Sequence, residues 1–123
     1  MWPQRSSGMP FERWKRPVRS HPFRIALAQV YFTVGDIDQN RDRIIELIAE
    51  ARDQHVSLIA FPELSITGYP PEDLLFKPKF IDANLRALEA IHKETEGITA
   101  VVGFVDRKDD IYNAAAILSD GQR

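Results

Sequence analysis

Phe61-Pro62-Glu63-Leu64-Ser65-Ile66-Thr67-Gly68-Tyr69-Pro70-Pro71-Glu72-Asp73-Leu74-Leu75 closes an apolar run that starts at Val56 and continues through Ser57, Leu58, Ile59 and Ala60. The run is short, rich in β-formers and preceded by a helical pattern, so it predicts a buried strand over 56–61. Pro62 ends the strand, because proline has no N–H to give to a sheet ladder. Glu63 is therefore an ionisable group set where a buried strand stops. In open α/β sheets, binding and chemistry collect just outside the carboxyl ends of the strands. A carboxylate held there is partly desolvated, which suits it to general-base work.

Upstream, Phe23-Arg24-Ile25-Ala26-Leu27-Ala28-Gln29-Val30 predicts a first core strand, apolar almost throughout. Gly35-Asp36 marks a turn. Asp36 or Asp38 is placed to cap a helix over 39–54, whose apolar face carries Ile44, Ile45, Ile48 and Ala51. Strand, helix, strand at these lengths is a βαβ unit, so the first two strands are expected to be parallel. Downstream, Pro70 and Pro71 stiffen the chain, and Glu72 and Asp73 are expected to cap a short helical turn. Pro78 opens a second helix to about residue 95, with Ile81, Leu85, Leu88 and Ile91 on its buried stripe and Gly97 as its stop. A third strand over 98–105 and a fourth over 111–118, joined by Lys108-Asp109-Asp110, predict a hairpin.

The chain has 123 residues and a net charge of -2, so nothing global points to nucleic acid or an anionic membrane. No apolar run is long enough to span a bilayer, and no signal-peptide pattern is present. Residues 1–22 differ from the rest. Arg5, Arg13, Lys15, Arg16 and Arg19 face one acid, Glu12, giving this segment a charge of +4 and leaving -6 for the remainder. With four prolines it reads as a disordered basic extension, with a transit peptide as the alternative and Met9 as a possible second start. Residues 23–123 read as the domain. Cysteine is absent, which excludes disulfides and thiolate metal sites. His21, His55 and His92 have no metal-ligand spacing and read as solvated, so no metal site is expected.

Phe61-Pro62-Glu63-Leu64 with Thr67-Gly68-Tyr69 resembles the glutamate motif of the nitrilase, or carbon-nitrogen hydrolase, superfamily. The extension Tyr69-Pro70-Pro71-Glu72-Asp73-Leu74-Leu75 is similar to the glutaminase domains of glutamine-dependent NAD synthetases. Ala28-Gln29, Val34-Gly35-Asp36, Val102-Gly103-Phe104 and Tyr112-Asn113-Ala114-Ala115 extend the resemblance over 23–123. It implies an α/β fold, the N-terminal half of a nitrilase-like αββα sandwich. It implies hydrolysis of the glutamine amide by a Glu-Lys-Cys triad through a cysteine thioester, supplying ammonia for NAD synthesis from deamido-NAD. Glu63 carries over as the general base and Tyr69, in a loop that Gly68 lets turn sharply, as a residue of the glutamine pocket. The family lysine and cysteine have no counterparts here: Lys77, Lys79, Lys93 and Lys108 match neither context. The resemblance further implies ATP and magnesium in a synthetase domain outside this sequence, glutamine as the substrate, a homo-oligomer for the complete enzyme, and a cytoplasmic location.

This sequence then resembles the first part of a glutaminase domain, whether a truncated gene, an engineered piece or one part of a split enzyme. Two other readings stand beside it. One is a different carbon-nitrogen hydrolase, such as an amidase, nitrilase or carbamoylase. The other is a non-catalytic fragment acting only as an interaction module, which the missing cysteine favours. Ser65 lacks the context of a serine nucleophile. Asn113 reads as a structural residue of the hairpin. One face of the sheet, with Ile25, Leu27, Leu58 and Val102 or their alternating neighbours, is expected to lack a cover.

Overall fold

The structure is a computed structural model that describes residues 23–120; the expected basic extension, 1–22, lies outside the described residues, as do residues 121–123. One four-stranded sheet has the order β1-β2-β3-β4. Its strands are β1 (Ile25–Leu27), β2 (Leu58–Ala60), β3 (Thr99–Arg107) and β4 (Ile111–Ser119). Two helices, α1 (Ile37–Asp53) and α2 (Pro78–His92), make the crossovers. β1, β2 and β3 are parallel, with Ile25 opposite Leu58 and Leu58 opposite Thr99. β3 and β4 form the expected antiparallel hairpin.

The helices start and stop where local chemistry tells them to. Asp36 caps α1, its carboxylate accepting the Gln39 N–H at 3.1 Å. Pro78 stands in the first turn of α2, where its missing N–H leaves no gap in the helix. α2 ends three residues earlier than expected. The Thr95 hydroxyl donates to the His92 carbonyl at 2.7 Å, and Gly97 then turns the chain with a φ of 79°. The short element at Glu72–Phe76 is a 3-10 helix. Glu72 and Asp73 lie in its first turn and do not cap it. Pro71 occupies the cap position and has no side chain able to accept a backbone N–H.

The register divides the strand residues into two faces. Ala26, Ile59, Ala100, Val102, Phe104, Ala116 and Leu118 look toward the helices; Ala100, Val102 and Leu118 have no exposed surface at all. They pack with Ile44 and Ile48 of α1 and Leu88 and Ile91 of α2 into the core. The opposite face carries Ile25 (61% exposed), Leu27 (68%) and Ile117 (64%). Val102, expected on the open face, is on the covered one, and Val101 takes the open position, because Val101 and not Val102 is in register with Ala60 and Leu27.

Two further expectations change. β1 is an edge strand of three residues and not a core strand over 23–30, since it has a neighbour on one side only. His92 is not solvated: it is 9% exposed, in phase with Leu88 one turn earlier. Its Nδ1 lies 3.8 Å from the Glu89 carboxylate, and its Nε2 has no hydrogen-bond partner among the described residues.

Two buried asparagines also sit on the helix stripes. Asn84 of α2 donates to the Val105 carbonyl at 2.6 Å and accepts the Val105 N–H at 3.1 Å. It thereby takes the place of a neighbouring strand where β3 runs on past the end of β2. Asn40 of α1 donates to the carbonyls of Thr33 (2.8 Å) and Ile66 (2.9 Å) and accepts the Thr33 N–H (2.9 Å).

Candidate functional site

The two parallel strands β1 and β2 end side by side, and the loops that leave them are tied together. Asn40 holds the loop after β1 at Thr33 and the loop after β2 at Ile66. The Gly35 N–H adds a bond to the Thr67 carbonyl at 2.9 Å. The Phe32 and Phe61 rings pack with centroids 6.5 Å apart. Gly68 lets the two loops touch: a Cβ there would lie 2.6 Å from Val34 Cα, and its φ is 80°.

The Glu63 loop then crosses over β3. At Gly103 a Cβ would stand 2.4 Å from the Leu64 nitrogen and 2.7 Å from the Pro62 carbonyl oxygen. A side chain at 103 is excluded by backbone, so the glycine is what lets the loop lie against the strand. Leu64 takes a left-handed φ of 51°, a conformation costly for a non-glycine residue and sustained by its surroundings. The loop is pinned by the Ile66 N–H (3.2 Å) and the Ser65 hydroxyl (3.3 Å), both donating to the Gly103 carbonyl. Ser65 is 1% exposed, so its hydroxyl is a buried strut and not a nucleophile.

Between these loops lies an open cavity of about 680 Å³, walled by residues 29–32 on one side and by 62–65, Gly68 and Tyr69 on the other. The two residues singled out in the sequence therefore share one cavity. Glu63 is exposed, so the desolvation expected of it is not present in this chain: its side chain lies over the open face of the sheet, beside Asn113. Tyr69 is 60% exposed and precedes a cis peptide bond to Pro70. None of Lys77, Lys79, Lys93 and Lys108 is among the residues lining this cavity.

The residue that sequence reasoning missed is Asn113. Its Nδ2 donates to Glu63 Oε2 at 2.5 Å, across 50 positions of sequence. Nearby on the hairpin, the Tyr112 hydroxyl donates to Asp109 Oδ1 at 2.7 Å. That bond holds the Asp109 carboxyl below its ordinary range and pushes the Tyr112 hydroxyl up. An exposed carboxylate with one oxygen engaged by an amide, at the mouth of an open cavity, is equipped to accept a proton from a group brought into that cavity.

Residues 24–123 match the carbon-nitrogen hydrolase family. Among curated proteins, the chain is 50% identical over 107 residues to the glutamine-dependent NAD(+) synthetase of Xanthomonas campestris, covering 85% of this chain and 19% of that protein. It is 42% identical over 101 residues to the Thermotoga maritima protein of the same name, covering 80% of this chain and 18% of that one. The chain thus spans about a fifth of the length of these relatives. Among solved structures, it is similar to the glutamine-dependent NAD+ synthetase of Acinetobacter baumannii, with a TM-score of 0.76 and 43% identity over 81% of this chain and 19% of that one. An amidase from Nesterenkonia sp. follows at a TM-score of 0.71 and 27% identity, over 85% of this chain and 41% of that one.

Proposed function

The chain belongs to the carbon-nitrogen hydrolase family, and from that premise we propose that it is the base-bearing part of a glutaminase that supplies ammonia for NAD synthesis from deamido-NAD. What carries the reading is the cavity at the carboxyl ends of β1 and β2, with Glu63 and Tyr69 on a common wall. In this reading glutamine enters the cavity, and Tyr69 packs against it. Glu63 accepts the proton of a thiol whose sulfur bonds the amide carbon, and gives that proton to the ammonia that leaves. It then takes a proton from the water that attacks the thioester and returns it to the sulfur as the C–S bond breaks. The thiol is not in this sequence, which has no cysteine.

The described residues contain no group of three or more His, Asp or Glu able to hold a metal ion. In this reading ATP and magnesium belong to the synthetase part of the complete enzyme. No helix among the described residues is long and apolar enough to cross a membrane. We place the complete enzyme in the cytoplasm as a homo-oligomer. Identity ranks the synthetases above the amidase, 43% against 27%.

The test uses the 123-residue chain carried in place of the matching part of the Xanthomonas campestris enzyme. The expected result is NAD formation with glutamine as the nitrogen donor. Glu63→Gln then lowers glutamine-driven synthesis by about 100- to 10,000-fold, the usual contribution of a general base, while ammonia-driven synthesis continues. The chain by itself releases no ammonia from glutamine. A hybrid that uses ammonia but never glutamine, or a Glu63→Gln variant with undiminished glutamine use, overturns the reading.

A further inference from the structure

We propose that Asn113 is the positioning residue of Glu63: its side-chain amide holds one carboxylate oxygen so that the other faces the cavity. This rests on the glutaminase reading above and names what aims its base.

Three observations converge on it. First, the bond itself: Asn113 Nδ2 donates to Glu63 Oε2, 2.5 Å away, a hydrogen bond whose acceptor is a carboxylate. Second, the ladder has no use for that side chain. Asn113 stands opposite Val105 in an antiparallel pairing made by backbone groups alone. Third, the route between the two residues is built. Asn113 is in phase with Ala115, which pairs with Gly103, so it lies on the face of the sheet that the Glu63 loop crosses. The bare Gly103 lets that loop come down onto β3, and the Ser65 and Ile66 bonds to the Gly103 carbonyl hold it there. The carboxylate is thereby delivered to β4, two strands away from the one it follows.

The chemistry explains why an amide suits this position. Glu63 has free rotation about its side-chain bonds and is exposed, so nothing in its packing selects one direction. An amide N–H can bind the ionised carboxylate without competing for the proton to be transferred, since the amide does not titrate. With Oε2 engaged, Oε1 has no bond from a described residue and is the oxygen left to accept a proton in the cavity that Glu63 lines. A misplacement of about 1 Å in a reacting group costs on the order of 100-fold in rate, which sets the scale of the effect.

The experiment compares Asn113→Ala and Asn113→Asp in the hybrid enzyme described above. Both variants are expected to lower kcat for glutamine-driven synthesis by about 10- to 100-fold, with KM for glutamine changed less than about threefold and ammonia-driven synthesis unchanged. Asn113→Asp keeps the shape but sets a second carboxylate against Glu63, so it is expected to be no better than Asn113→Ala. A residue that merely supports the hairpin gives the reverse order, because the shape-preserving aspartate is then the milder change. The proposal is overturned by an Asn113→Ala variant with kcat within about threefold of the parent, by an aspartate variant more active than the alanine one, or by equal losses of glutamine- and ammonia-driven synthesis. Loss of glutamine use in the unsubstituted hybrid is a failure of the glutaminase reading instead. A crystal structure of that hybrid still decides the contact: Asn113 Nδ2 within hydrogen-bond distance of Glu63 supports the assignment, and a separated pair overturns it.

Discussion

Leu118 and Ile117 are neighbours in β4, yet Leu118 has no exposed surface and Ile117 is 64% exposed. They stand for the two faces of the sheet. The face toward α1 and α2 is built from residues of ordinary core type, and this chain's own helices cover its centre. The other face has similar apolar strand residues but no helix over it, and it is the face that carries Asn113 and the crossing of the Glu63 loop. Apolar composition therefore says that a strand residue is fit for burial, while the register decides whether this chain buries it. The covered face supplies the core, and the open face carries Asn113 and the Glu63 loop of the proposed site.

The contrast can be broken first at that pair of neighbours. Leu118→Ala is expected to lower unfolding free energy by about 2–5 kcal/mol, and Ile117→Ala by less than about 0.5 kcal/mol. Urea unfolding of the two variants checks this, and equal losses would show that the faces are not energetically distinct. A second test sits where the site meets the fold. Gly103→Ala forces a Cβ against the Leu64 backbone nitrogen, with an expected loss of about 1–3 kcal/mol. It also lifts the Glu63 loop, so glutamine use in the hybrid enzyme should fall further than thermal stability alone accounts for. Unchanged unfolding would mean that the loop does not rest on β3. The smallest effect on stability is expected from Ile117→Lys, within about 0.5 kcal/mol. Its readout is association: the parent chain is expected to bind a hydrophobic dye and to form oligomers through its open face, and the lysine variant to do both less. A parent chain that stays monomeric and binds no dye would show that this face is content in water.

Much of this was legible in the sequence because it rests on local signals. Asp36, Pro78 and Gly97 punctuate the helices through backbone chemistry that a few residues determine. The strand before Pro62 and the hairpin around Lys108-Asp109-Asp110 follow from short runs of β-formers and from the proline or turn residues that end them. What was not legible depends on distant partners. Asn40 and Asn84 fall in phase with the isoleucine and leucine stripes of their helices, at Asn40-Ile44-Ile48 and Asn84-Leu88-Ile91. A lone asparagine inside such a stripe is the signal that a buried amide is holding another segment, and reading the stripes as purely apolar passed over it. Asn113 gave no such sign, because its partner is 50 residues away and only the fold brings them together. The exposure of Glu63 was hidden for the same reason: a motif names the residue after a strand, but not how far the strand's neighbours extend around it.

Asn84 has an effect beyond its own hydrogen bonds. β3 outlasts β2 by six of its nine residues, which would otherwise offer bare backbone N–H and C=O groups to any passing chain. The Ile66 N–H takes the Gly103 carbonyl, and the Asn84 amide takes both polar groups of Val105. That flank is closed to strand addition, as an edge plugged by a side chain cannot template another ribbon. Lateral growth of the sheet is confined to β1 and β4, the strands at the ends of the order. A single helical asparagine thus decides where polymerisation through the backbone is forbidden.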